Sequence, residues 1–265
     1  RVSLRVCTLN PQGFKYFTRP ACTIMKHVNP CGFKVQTRSE TLEQIYRIAR
    51  SCDERSAFGG IVGFNVPVDA PTAEAIMETF IEGVIAPDYH EEALAVLRRN
   101  EGTRKLNNAI RVARVSNIQA IPKFVGDDID GLYSVRTLVD GTLTFEVPYL
   151  TRIRSIDDFI CDPMIPNSDP SKNNGRDFVV RRQPTREELE DCLTAWYLNI
   201  NVRSNGIVFV RDGAALAVGT GTCVVTLAAA TTVTATFNAL TLALDVNLAG
   251  AGSGTVTSSP PGISC

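Results

Sequence analysis

Two histidines, one tryptophan and three methionines are all that this 265-residue sequence carries of those types, and each scarcity narrows what it can do. With only His27 and His90 present, a histidine-rich metal centre is excluded, and few side chains can exchange a proton near neutral pH. Charge of one sign is equally lacking. The 27 Lys and Arg against 28 Asp and Glu leave a net charge of -1, which removes the basic field that a general nucleic-acid binder needs and favours small-molecule chemistry. No C-x-x-C pair occurs among the eight cysteines, Cys7, Cys22, Cys31, Cys52, Cys161, Cys192, Cys223 and Cys265. Their scatter argues against a disulfide framework and for reduced thiols in a cytoplasmic protein. The opening RVSLRVCTLNPQGF lacks an apolar core and does not read as a signal peptide; it also lacks an initiator Met, so a fragment is expected.

What is present has an α/β rhythm. Short β-branched runs at Cys22–Val28, Gly60–Phe64 and Gly83–Ala86 alternate with helical patterns between residues 20 and 125, the mark of βαβ units in a parallel or mixed sheet. In TLEQIYRIARSC, Leu42, Ile45, Ile48 and Ala49 recur at helical spacing, and Thr41 with Gln44 can form a capping box. Residues 72–79 and 91–99 read as two more helices. From 126 to 175, Asp-Gly pairs at 130 and 140 and the stretch PMIPNSDPSKNNG mark a domain junction. A second α/β unit follows: DFVVRR as a strand, a helix opened by Thr185 with Glu188 as its capping box, then the strand GIVFVR and an Asp212-Gly213 turn. The element order resembles that of the first unit.

Past Asp212 only Asp245 is charged, and Ala, Thr, Val, Leu and Gly dominate. Three explanations stand: a Thr/Val-rich β segment, a membrane span diluted by Thr and Asn238, or translation out of frame from about residue 222.

Among residues able to do chemistry, ACTIMKHVNPCG is the most informative stretch. A strand delivers Lys26 and His27 at its carboxyl end, and Asn29-Pro30 with Gly32 is expected to force a turn. Ligands of open α/β sheets bind at such strand ends, and a Lys-His pair there sets a fixed charge beside a proton acceptor. Taken alone, the blander reading is the stronger: a surface Lys and a structurally bonded His. Gly59 and Gly60, just before a strand, fit a close approach to a ligand as well as they fit a tight turn. Glu82 precedes the apolar GVIAPDY, Asn205 precedes GIVFVR, and Gly219 with Gly221 offers a possible phosphate loop on weak evidence.

Taken in order, KHVNPCG, SAFGGIVGFNVPVDAPTAEAI, IAPDYHEEALAVL, RRQPTREELEDCLTAW and RSNGIVFVRDG resemble the AICAR transformylase domain of the bifunctional transformylase/IMP cyclohydrolase family over roughly residues 20 to 221. The resemblance implies two tandem cytidine-deaminase-like α/β domains, residues 1–135 and 136–221, the second truncated or divergent at its C-terminus, with residues 222–265 as a low-charge tail. It implies formyl transfer from 10-formyltetrahydrofolate to the 5-amino group of AICAR in purine (IMP) biosynthesis, by a cytoplasmic homodimer that binds neither nucleic acid nor membrane. His27 matches the family's catalytic histidine, Lys26 its neighbouring lysine and Asn205 its active-site asparagine. Asn29, Phe58, Gly59, Gly60, Glu82, Gly219 and Gly221 fall at substrate-binding positions. Zinc deaminases carry P-C-x-x-C; here Pro30-Cys31 is followed by Gly32-Phe33-Lys34, so no metal is expected. Two departures bear on activity. The family's text after its second glycine loop is absent beyond Gly221, and Tyr197 and Ile200 stand where the bacterial pattern has lysines. A non-catalytic homologue that binds nucleotide or only dimerises is therefore the alternative.

Overall fold

A computed structural model describes residues 13–27, 29–99, 110–129, 132–202 and 206–220. Its centre is one mixed seven-stranded sheet in the order β10-β11-β2-β1-β3-β4-β5. The strands are β1 (Ala21–Lys26), β2 (Asn29–Val35), β3 (Ile61–Phe64), β4 (Gly83–Ala86), β5 (Arg111–Arg114), β10 (Gly206–Arg211) and β11 (Ala214–Thr220). β1 is antiparallel to both β2 and β3, whereas β3, β4 and β5 run parallel, each pair linked through a helix. Two small hairpin-like pairs, β6 (Ser134–Thr137) with β7 (Leu143–Glu146) and β8 (Met164–Ile165) with β9 (Phe178–Val179), lie outside this sheet.

Local chemistry accounts for the helices. In α1 (Leu42–Ser51) the Thr41 hydroxyl accepts the Gln44 N–H while the Gln44 side chain returns to the Thr41 N–H, closing the capping box that the spacing predicts. The same box forms between Thr185 and Glu188 at the head of α5 (Arg186–Asn199). A one-turn α2 (Glu54–Ala57) is capped by Asp53, and α3 (Ala70–Met77) by Asp69 with Pro71 in its first turn. α4 (Glu91–Leu97) carries its acids first and ends at Arg98.

Both faces of the sheet are covered. On one, Ile24, Val62, Phe64 and Val84 pack beneath Ile45, Tyr46 and Ala49 of α1 and Ala73 and Ile76 of α3. On the other, Phe33, Val35 and Ala215 meet Phe14 and Phe17 of the segment before β1 and Tyr197 and Leu198 of α5. Each large apolar side chain so removed from water contributes about 1.5–3 kcal/mol. Tyr16 stacks on Tyr197 with ring centroids 4.2 Å apart, joining the start of the chain to α5.

Three stretches differ from the sequence expectation. NPCGFKV, expected to open with a turn, is the strand β2; the turn is the two-residue link after Lys26, which pairs with Asn29. Pro30 is tolerated because a bulge interrupts the ladder there, and Gly32 because a side chain would begin 2.1 Å from the Ala49 carbonyl oxygen of α1. DFVVRR contributes only the exposed pair Phe178–Val179 to the two-stranded β8/β9 unit. The α5–β10–β11 segment, read as a second unit, adds its hairpin to the first unit's sheet through Ala214 opposite Lys34 on β2.

Within that sheet the two hairpins repeat each other. Each turns through two residues whose first has a left-handed backbone, His27 at φ 52° and Asp212 at φ 51°. Each second strand carries one extra, bulged residue two places after it starts, Cys31 between the partners of Ile24 and Met25, and Leu216 between those of Phe209 and Val210. The second strands, β2 and β11, lie side by side and antiparallel, so the pair is arranged about an approximate two-fold axis.

Of the cysteines, Cys22 and Cys31 are buried free thiols, Cys52 and Cys161 are partly covered and Cys192 is exposed. Burial pushes the Cys31 thiol up to about 12 and that of Cys22 well above its ordinary value, so both remain protonated. Cys7, Cys223 and Cys265 lie outside the described residues.

Candidate functional site

Strand direction gathers the candidate residues. β1 runs toward its turn, so Lys26 and His27 stand at one end of the sheet. β3 and β4 begin at that same end, because Met25 pairs with Ile61 and Ile61 with Gly83. Gly59 and Gly60 therefore arrive beside Lys26, with Glu82 one strand further along the same end. Antiparallel pairing of β2, β11 and β10 brings the end of β11, with Gly219, and the start of β10, at Gly206, to this end as well. The expectation of a crevice at the carboxyl ends of strands is met only by β1 and β11; for β2, β3, β4, β5 and β10 this is the amino end.

The centre of the cluster is tightly made. Lys26 Nζ donates to the Phe58 carbonyl oxygen at the end of α2. Gly59 follows with φ 69°, a conformation that favours glycine, and donates its N–H to the Phe80 carbonyl at 2.8 Å. A side chain at Gly59 would begin 3.2 Å from Lys26 Nζ and 3.3 Å from the Phe80 ring, so it would press on both as well as strain the backbone. The Gly60 carbonyl accepts the Glu82 N–H at 2.9 Å. Phe58 is about half exposed and its ring lies 5.4 Å from that of Phe80. The Glu82 carboxylate is 3.8 Å from Arg111 at the start of β5, where water screens the pair.

His27 is exposed and held at φ 52°, a conformation uncommon outside glycine though less so for His. Such strain persists only where its surroundings impose it, here the two-residue turn, and it is a feature concentrated at functional sites. Asn29, opposite Lys26, begins β2 and is partly covered. Gly219 pairs with Ile207 inside β11, so it belongs to a strand ladder and not to a phosphate-cradling loop. Asn205 and Gly221 lie outside the described residues. His90 is the exposed residue at the N-cap of α4 and is remote from the cluster. Phe80 and Arg111 are missed from sequence alone: nothing around Phe80 in sequence separates it from a core aromatic, and the only sign of β5 is the short alternation Ile110–Arg111–Val112.

Among the described residues no group of three or more His, Cys, Asp and Glu side chains could hold a metal ion. A cavity of about 540 Å3 opens elsewhere, between α4 and β5, and contains none of the candidates. On its rim Arg114 lies 3.4 Å from Asp88, and among the described residues no imidazole stands beside a fixed cation there, so the chemistry rather than the volume marks the site. No helix among the described residues is long and apolar enough to cross a membrane.

The sequence profile of the family described as AICARFT/IMPCHase bienzyme matches residues 10–127 and 153–235, beyond both ends of the resemblance read from motifs and into the low-charge segment. The bifunctional purine biosynthesis protein purH of Dictyostelium discoideum is 32% identical over 203 residues, 77% of this chain and 32% of that protein. PurH of Dinoroseobacter shibae is 36% identical over 200 residues, 76% of this chain and 31% of its own length. PurH of Persephonella marina is 34% identical over 205 residues, 77% and 32% respectively. The chain thus spans about a third of the length of these relatives. On the extent of the profile match, this chain belongs to the AICARFT/IMPCHase bienzyme family.

Proposed function

We propose that this chain serves purine biosynthesis by transferring a formyl group from 10-formyltetrahydrofolate to the 5-amino group of AICAR. The observation that carries the reading is the meeting of Lys26, His27, Asn29, the Phe58–Gly60 loop and Glu82 at the sheet end where β10 starts, one residue after Asn205. The acceptor amine is a poor nucleophile because its lone pair is shared with the imidazole and carboxamide. His27, exposed on its turn, would take the amine proton as the nitrogen attacks the formyl carbon and return it to N10 of the folate as the formyl C–N10 bond breaks and tetrahydrofolate leaves. Lys26 spends one of its three N–H donors on the Phe58 carbonyl, which leaves two for the oxyanion that forms as that carbon becomes tetrahedral. Asn205 would hold the formyl or amine group in line, with Glu82 on the folate side.

The chain is read as two tandem cytidine-deaminase-like units, residues 1–135 and a partial 136–221; the repeated hairpins, with matching turns and bulges about an approximate two-fold axis, support the repeat. The chain is read as a subunit of a cytoplasmic homodimer, and the exposed apolar side chains Leu143, Phe145, Val147 and Tyr149 on and after β7 support the association.

The test combines a folate absorbance assay of formyl transfer with calorimetry of AICAR binding. Turnover that disappears in His27→Ala with the fold retained supports the assignment. Binding without turnover selects a nucleotide-binding, non-catalytic homologue, and unchanged turnover in His27→Ala refutes the role of the imidazole.

A further inference from the structure

We infer that Phe80 is a positioning residue for the Lys26 ammonium, acting through the Phe58–Gly60 loop; only its catalytic consequence rests on the formyl-transfer reading. Phe80 lies in the connection from α3 to β4, next to the fully buried Ile81 and three residues before the ladder of β4 begins. It grips the loop in two ways. Its carbonyl accepts the Gly59 N–H at 2.8 Å, and its ring packs on Phe58 at 5.4 Å and 52°. The Phe80 ring and Lys26 Nζ also converge on one point, 3.3 and 3.2 Å from the place where a Gly59 side chain would start. Two residues on, the Glu82 N–H binds the Gly60 carbonyl at 2.9 Å, so the loop is strapped to the 80–82 segment at both of its glycines.

The geometry has a direct consequence for Lys26. Its acceptor is the Phe58 carbonyl, and the direction of that carbonyl is set by the left-handed Gly59 that follows and by the ring of Phe58 lying on Phe80. Removing the ring of Phe80 takes away one of the two contacts that hold the Phe58–Gly59 peptide; the Gly59 N–H bond to the Phe80 carbonyl remains, and the peptide is left to tilt about it. The ammonium then loses a fixed acceptor and samples its rotamers. An amine tied to a carbonyl on the Phe58–Gly60 loop is shielded from an acylating reagent, so the labelling of Lys26 reports whether the acceptor is in place.

The experiment is competitive acetylation of the whole chain with trace acetic anhydride, read lysine by lysine by mass spectrometry in the wild type, Phe80→Leu and Phe80→Tyr. Lys34, buried and bonded to Thr37 and Asp212, reports general loosening, and exposed Lys172 normalises the dose. Loss of one such hydrogen bond corresponds to labelling of Lys26 raised about fivefold in Phe80→Leu. Phe80→Tyr, which keeps the ring, stays at the wild-type level, and Lys34 stays protected in both. Equal Lys26 labelling in the wild type and Phe80→Leu overturns the inference. So does a rise at Lys34 matching that at Lys26, which makes Phe80 an ordinary packing residue. In the formyl-transfer assay, Phe80→Leu lowers kcat with little change in KM for the nucleotide; absence of wild-type turnover sinks the functional reading while the labelling result stands by itself.

Discussion

Cys31 and Leu216 occupy the same position in the two hairpins, each the extra residue of a bulge, yet Cys31 is 9% exposed in the core beneath α1 and Leu216 is 42% exposed. The difference lies in what covers them. Cys31 shares a cluster with Ile45, Tyr46 and Ala49 of α1, and its thiol reaches the Ile24 carbonyl at 3.5 Å. Truncation should therefore act at one site and not the other. Cys31→Ala is expected to cost about 1–2 kcal/mol and Leu216→Ala to stay within about 0.5 kcal/mol, as urea unfolding would measure. Equal costs would show that Leu216 is covered in solution.

The join between the hairpins is acid-sensitive. Buried Lys34 donates to the Asp212 carbonyl at 2.7 Å and to Thr37 at 2.9 Å, and forms an ion pair with Glu40 at 2.9 Å. Desolvation pushes the Glu40 carboxyl up, but the Lys34 hydrogen bond and the Arg38 N–H outweigh it and hold it at about 2. A carboxyl with a folded pKa below its unfolded one adds stability above the unfolded value and loses it as pH falls toward the folded one. Stability is thus expected to drop as pH falls from the ordinary 4.5 of the group toward 2. Glu40→Gln should flatten that part of the profile and cost about 2 kcal/mol at neutral pH. An unchanged acid limb in chemical denaturation at a series of pH values would count against the pair.

Glycine is needed at two positions for different reasons. Gly32 would drive a methyl group to 2.1 Å from the Ala49 carbonyl, a backbone atom that cannot yield without shifting α1. Gly32→Ala should cost about 3 kcal/mol. Gly59 meets the movable tip of Lys26 and the Phe80 ring at 3.2 and 3.3 Å, but its φ of 69° penalises any side chain. Gly59→Ala should cost about 1 kcal/mol and, by displacing the ammonium, reduce formyl transfer by more than the loss of fold accounts for. Thermal melts alongside initial rates separate the two effects.

His27 offers a trade between stability and chemistry. Its φ of 52° is strained for any side chain, so His27→Gly should be more stable than the wild type by about 0.5–1 kcal/mol. The same variant lacks the imidazole and should show no transfer. A destabilised His27→Gly would mean that the ring makes contacts that hold the turn.

Thr41 with Gln44, Thr185 with Glu188, the strand GIVFVR and the Asp212-Gly213 turn could all be read in advance because their causes lie within four residues: a hydroxyl facing a free N–H, alternating β-branched side chains, a residue pair that accepts positive φ. The presence of Lys26, His27 and two glycines in candidate positions was likewise visible as residue types in order. Pro30 and Gly32 misled because their usual local meaning is a break, whereas here a bulge excuses the proline and the approach of α1 demands the glycine. Gly219, offered with Gly221 as a possible phosphate loop, carries no side chain to signal a strand; it belongs to one because β11 pairs with β10 and with β2, nearly two hundred residues away in the chain. That Lys26 is fastened to the Phe58 carbonyl, and Gly59 to Phe80, follows from β1, β3 and β4 starting or ending at one edge of the sheet. Such contacts arise from the direction in which distant strands pair, and no short stretch of residues contains that information.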